Sequence, residues 1–519
     1  MKHLLRTTAA IVLAAFLPLA STSAEDAPVP IVSATVKSYK DLHEMVGTLV
    51  KTVSPEEANP MLAIDLMVGE TINREKPMHL AVWPNGILQP LVAAYVPTDN
   101  FAGLKKKLLA TPMADDTSIE EIEGYLVLIN GAKASLEENL EAARSTDPAE
   151  FAAEMPIEIE LQLDDSTRKM LKGIMAAGRL GLMQQGEDFG GGAEAELMME
   201  VFDLYFDMLD GFVDGMNQTK VGFGIVDEGL RTSLSVTARD GSTFGKLIAK
   251  ESMDPAPLAK NYFADKMFAM SLRMASYDES MEDVMSKMMS LSLSMTTEDE
   301  STDEFIEMMR KMVPFYGSIA YDFDEELAAY GIYQFPKGDG AADLYPDMIK
   351  LSANMGKQMA EEGSIYSGFE HKKVTKDGVE VDRFTYKMGD ALPSLPIFGD
   401  KMEIEYALKG KDMVFGMGKD GVSPLLKDSE APSLPKFLVP DETTVMIGHF
   451  DILALVEKFK RIEISLPEQR VFIDAKDDEK NTAGDASWNK VQMRASIEEA
   501  FHFDFHVPLT TIKVLSKMR

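Results

Sequence analysis

Near its end the chain reads FHFDFHV, residues 501–507. Alternate residues of a strand share a face. Phe501, Phe503 and Phe505 are then expected to point to a core, and His502, Asp504 and His506 to the opposite, solvent side. Two imidazoles and a carboxylate are donors that ligate zinc or a similar metal. Neighbours at i and i+2 of one strand stand about 7 Å apart. A metal held by these three therefore needs help from a second strand. His502, Asp504 and His506 form the candidate metal site, and they would serve a metal-dependent hydrolase. The other histidines, His43, His79, His371 and His449, are scattered, and none stands in a His-Glu-x-x-His spacing.

Other chemical motifs are weaker. GMGKDG, from Gly416 to Gly421, matches a dinucleotide-type glycine pattern after the strand-like DMVF. That chemistry needs a parallel strand–helix–strand unit. Here the neighbours read as hairpins and Pro424 follows, so a loop between strand and helix is expected. Ser166 and Ser487 each begin a Ser-x-x-Lys, but no Lys-Thr-Gly completes the site. Ser166 fits the N-cap of a helix instead. The DFGGG stretch lacks a lysine and reads as a connector. Cysteine is absent, which excludes thiol catalysis and disulfides. The 85 acids offer too many pairs for a catalytic pair to be chosen without geometry. No catalytic residues are assigned and no cofactor is expected.

Methionine is the compositional outlier, at 36 residues. In MEDVMSKMMSLSLSM, Met281, Met285 and Met288 recur at helical spacing. Met348, Met355 and Met359 do the same further on, joined by Leu351. Thioethers bind Cu(I), but the interleaved histidines of such sites are missing. These stripes are read as helix faces packed on a sheet. The functional alternative is a pliable surface or cavity for an apolar ligand or a partner helix, because methionine repacks easily. The six methionines are the candidate ligand-binding set.

The elements that position these residues follow a repeated plan. Strand, tight turn, strand and helix recur in residues 78–109, 220–248, 317–351 and 494–518. A strand followed by a helix recurs at 30–50, 124–140, 411–428 and 443–459. Asp99 or Asn100, and later Asp451, are expected as helix N-caps. Hairpins predict antiparallel sheets. The expected fold is α+β: two tandem related domains, each a mostly antiparallel sheet with helices packed on one face. The first covers residues 25–252, a linker 253–260, and the second 261–519.

Lys2 and Arg6, an apolar run over residues 9–20 and small residues at Thr22 and Ala24 have the layout of a cleaved secretory signal, residues 1–24. The run is shorter than the roughly 20 residues that span a bilayer, and no membrane span is expected elsewhere. The net charge of −33 repels nucleic acid and anionic lipid. Two acidic stretches, TTEDESTDE and DAKDDEKNTAGD, read as exposed loops. The expectation is an acidic, cysteine-free, methionine-rich protein of the periplasm or the extracellular space. Its expected role is non-enzymatic, as a binding or structural module whose partner is an unidentified protein or an apolar ligand.

Overall fold

The computed structural model describes residues 29–517, apart from 84–89, 110–116, 131–136, 187–205, 207–208, 243–244, 247–252, 275–307, 309–310, 324–326, 337–339, 363–365, 389–400, 428–430 and 462–487. Among the described residues are 18 strands and a set of helices, and the strand pairs run antiparallel. The chain divides into two compact units, one ending at Gly245 and one beginning at Lys246.

In the first unit β1 (Val32–Val36) leads through Ser38 into α1 (Tyr39–Val53), whose N-terminus is capped by the Ser38 hydroxyl accepting from Asp41 N at 3.0 Å. A short α2 (Met61–Ile64) runs into a π-helical turn, Asp65–Gly69. Strands β2 (Met78–Trp83) and β3 (Leu91–Pro97) form a hairpin, followed by α3 (Phe101–Leu109). Asn100 caps α3, accepting from Gly103 N at 2.9 Å. Then come β4 (Thr117–Ile122), β5 (Tyr125–Asn130), α4 (Glu137–Ser145) and β6 (Ile157–Gln162). The long α5 (Asp165–Gly186) and the hairpin of β7 (Met216–Val226) and β8 (Gly229–Ala238) complete the unit. The α5 N-terminus differs from expectation: Asp164, not Ser166, accepts from Thr167 N at 2.6 Å. Both side chains favour caps, and Asp164 stands one residue ahead of the first helical turn, where the geometry requires the cap.

Pairing gives the strand order β4-β5-β3-β2-β1-β6-β7-β8. One face presents Ala81, Trp83, Leu91, Ala93, Tyr95, Val127 and Ile129, which pack with Leu140 and Ala143 of α4. The Tyr95 hydroxyl crosses this layer to donate to Ala143 O at 2.6 Å. Fully burying such a large apolar side chain contributes about 1.5–3 kcal/mol.

The second unit opens with α6 (Ala256–Lys260), inside the stretch expected as a linker. Its Leu258 is 1% exposed and belongs to this unit's core. Next come β9 (Phe268–Met274), the hairpin of β10 (Phe315–Phe323) and β11 (Leu327–Gln334), and α7 (Ala341–Glu362). Hairpins β12 (Tyr366–Lys376)–β13 (Val379–Met388) and β14 (Lys401–Lys409)–β15 (Asp412–Met417) follow, with the short α8 (Ser423–Leu426) after them. The chain closes with β16 (Thr444–Phe450), α9 (Ile452–Arg461), β17 (Val491–Ile497), β18 (Phe501–Pro508) and α10 (Leu509–Ser516). Asp451 caps α9, accepting from Ala454 N at 2.9 Å.

The strand order here is β12-β13-β14-β15-β11-β10-β9-β16-β17-β18. From β14 onward this is the order of the first unit, strand for strand, and β12–β13 lies beyond it at the outer edge. Helices cover both faces of this sheet, not one. Ala269, Tyr316, Ala320 and Ile447 pack with α6. Phe315, Leu272, Met274 and Met413 face the other way and pack with Leu344 and Met348 of α7. Strands apolar on both faces require cover on both.

Candidate functional site

The strand β18 carries the proposed metal ligands. His506 pairs across to Gln492, Asp504 to Arg494 and His502 to Ser496, so the three do share one face. That face is the more buried one. Asp504 is 9% and His506 8% exposed, whereas Phe501, Phe503 and Phe505 are only half-buried. The expected polarity of the strand is reversed. The cause is the 3-10 turn Lys436–Leu438, which covers this side: the Phe437 ring stands 5.5 Å from that of His506, and Leu438 is fully buried. Among the described residues no group of three His, Asp or Glu is placed to hold one metal ion. Opposite Asp504, Arg494 donates to Thr444 Oγ1 at 2.9 Å and ion-pairs with Asp441. Burial works against the Asp441 charge, but hydrogen bonds from Thr443, Thr444 and Arg494 outweigh it and hold this carboxyl below the usual range.

Met281, Met285 and Met288 lie outside the described residues. Met348, Met355 and Met359 are on α7, all half-buried. The helix lies over β12 and β13. At Gly356 the approach is so close that a methyl group would stand 2.2 Å from the Phe369 ring. Phe369 in turn stacks on Phe384 at 5.8 Å and meets Tyr386 edge-on. At Gly356 the helix therefore touches an aromatic layer directly.

The GMGKDG loop does join β15 to a helix, as expected. What it holds is a side chain of the protein itself. Glu405 of β14, 2% exposed, accepts from Val422 N at 3.1 Å, at the foot of α8. The same carboxylate takes Lys376 Nζ at 2.7 Å and Arg383 Nε at 2.9 Å. Burial opposes its charge, yet Lys376, the Val422 amide and Arg383 together lower its pKa. The position a phosphate takes at a helix start is thus filled by a carboxylate.

Two constellations in the second unit went unread in the sequence. In the first, His449 is fully buried. Its Nε2 is 2.7 Å from Lys266 O, and a carbonyl only accepts, so Nε2 carries the proton. Nδ1 then accepts from the Tyr262 hydroxyl at 2.6 Å. Lys490 Nζ donates to Ala264 O and Lys266 O, each at 2.9 Å, and lies 5.3 Å from the Trp488 ring centre. Burial pushes the His449 pKa down to about 4 and lowers that of Lys490 as well. In the second, Asp382 is 2% exposed and accepts from His371 Nε2 at 2.7 Å and from the Tyr345 hydroxyl at 2.9 Å. That hydroxyl also lies 2.9 Å from Tyr406 O, so its single proton is shared between two acceptors. A buried carboxylate orienting a half-exposed imidazole is a common way to fix a ring tautomer. Here it also ties α7 to β12, β13 and β14.

The first unit has a counterpart in character. His79 stacks on Phe151 at 4.0 Å, and its Nδ1 is 2.8 Å from Thr35 Oγ1. Burial lowers its pKa to about 4. Sequence signals for these clusters were slight: a histidine at an inward strand position, and the hairpin dipeptide Asp377-Gly378 that brings His371 to Asp382. Compared with protein-family models, with curated proteins and with solved structures, the chain shows no match. Among the described residues no helix is long and apolar enough to cross a membrane.

Proposed function

We propose that the chain is an exported, non-enzymatic binding or structural module of the periplasm or extracellular space, built from two related α+β units in tandem. The observation that carries this reading is the shared strand order of the two units. A duplicated sheet offers broad, rigid surface, which suits binding or scaffolding. The polar clusters agree with it. Tyr262, His449, Lys490, Asp382 and Glu405 each bond to another element of the protein, and these bonds join helix to strand and loop to sheet. The apolar-carrier alternative is disfavoured at α7, where Gly356 meets Phe369 with no space between them for a guest.

The test is native mass spectrometry and a broad hydrolase panel on the mature chain recovered from the envelope and the medium. The expected result is a processed chain without a bound apolar molecule and without turnover. A lipid-sized adduct would move the assignment to a carrier. Ester, peptide, glycoside or phosphate hydrolysis that survives repurification would replace it with an enzyme.

A further inference from the structure

Among the described residues the outer strand of the second unit is paired along one side only. Among the described residues β12 pairs with β13 alone, and it is eleven residues long. The strand at the same end of the first unit's order, β4, has six. Natural sheets keep free edges short or charged because an unpaired edge templates another strand. β12 is long, and its charges are arranged in a particular way.

The turn fixes which backbone groups point outward. Lys376 pairs with Val379 around Asp377 and Gly378, whose φ values are 48° and 81°. Residues flanking such a two-residue turn form a hydrogen-bonded pair, and the pattern alternates from there. Lys376, Val374, Lys372 and Glu370 direct their N–H and C=O groups to β13. Thr375, Lys373, His371 and Phe369 direct theirs away from the sheet.

We propose that this edge is a self-association surface, on which the β12 strand of a second copy of this chain pairs antiparallel about a two-fold axis through His371. Register and charge both select that axis. A one-residue slip sets outward-facing groups against inward-facing ones and forms no ladder. An axis through Glu370 sets Glu370 opposite its own copy, and one through Lys372 or Lys373 sets lysine opposite lysine. The axis through His371 sets Glu370 opposite Lys372 on both sides of the centre, at non-hydrogen-bonded positions where side chains are closest. Phe369 then lies opposite Lys373. Glu370 and Lys372 are on hand for this. They pair with each other along the strand at 2.6 Å, with side chains 49% and 63% exposed. The contact is isologous, so it closes at a dimer and does not propagate.

Sedimentation equilibrium of the mature chain, with concentration varied across the micromolar range, tests the proposal. The wild type is expected to dimerise. Glu370→Lys and Lys372→Glu each place like charges opposite one another twice and weaken association ~30-fold. An equimolar mixture of the two variants restores attraction at both positions and reforms a heterodimer. The double swap, E370K with K372E, dimerises like the wild type. Both sites are exposed, so circular dichroism should be unchanged. A wild type that stays monomeric overturns the proposal. So does a dimer insensitive to both single reversals.

Discussion

His449 makes the stability of the second unit depend on pH in a way that can be worked out. Its ring is fully buried, with both nitrogens bonded as a neutral imidazole. Burial puts its folded pKa at about 4, against 6.5 for the free side chain. The unfolded chain therefore takes up this proton first as pH falls. The neutral site's contribution is intact above about pH 6.5 and is lost as pH falls from there towards 4. Linkage gives a loss of ~2 kcal/mol between about pH 7.5 and about pH 5, rising to ~3 kcal/mol below pH 4. His449→Gln removes the titrating group while leaving a donor for Lys266 O and an acceptor for Tyr262. The chain's two tryptophans supply the assay. Trp83 is buried in the first unit, and Trp488 meets His449 edge-on at 5.1 Å in the second. In a Trp83→Phe background, urea unfolding followed by Trp488 fluorescence reports on the second unit. The wild-type site should lose ~2 kcal/mol more than the glutamine variant between the two pH values. Equal losses in both would refute the reasoning.

Three further outcomes are expected. Gly356→Ala should destabilise despite the ~1 kcal/mol by which alanine favours a helix, because its methyl group would stand 2.2 Å from a Phe369 ring held between neighbours. Overpacking of ~1–3 kcal/mol should win, seen as a lower melting temperature. Glu405→Gln leaves Lys376 and Arg383 without their carboxylate and should cost ~3 kcal/mol by chemical denaturation. Tyr262→Phe removes the donor to His449 Nδ1 and should cost ~1–3 kcal/mol by the same measurement.

Much of the fold was legible because hairpins and helix caps have local causes. The strand–helix steps at β1, β15 and β16, and the caps Asn100 and Asp451, depend on neighbours a few residues apart. The hairpins β4–β5 and β12–β13 were missed, although Glu123-Gly124 and Asp377-Gly378 are turn dipeptides with left-handed backbone. The strands β4, β12 and β13 are rich in polar and charged residues and so resemble surface loops in composition. The orientation of β18 was misread because hydropathy alone assumes that phenylalanine faces inward. Which face is covered depends on Lys436–Leu438, more than sixty residues earlier in the chain. The His449 and Asp382 clusters were illegible for the same reason. Tyr262 lies 187 residues from His449, and only the assembled sheet brings them together.

The carboxylate in the glycine loop has a consequence for competition. Glu405 is covalently part of the sheet beside the loop, so it meets the Val422 amide at an effective concentration far above that of any free anion. A phosphate arriving from solution at millimolar concentration would have to displace it. The displaced carboxylate, 2% exposed, would be stranded away from that amide in a low-dielectric interior. The amide that closes the loop is therefore already taken by a carboxylate that the fold itself holds in place.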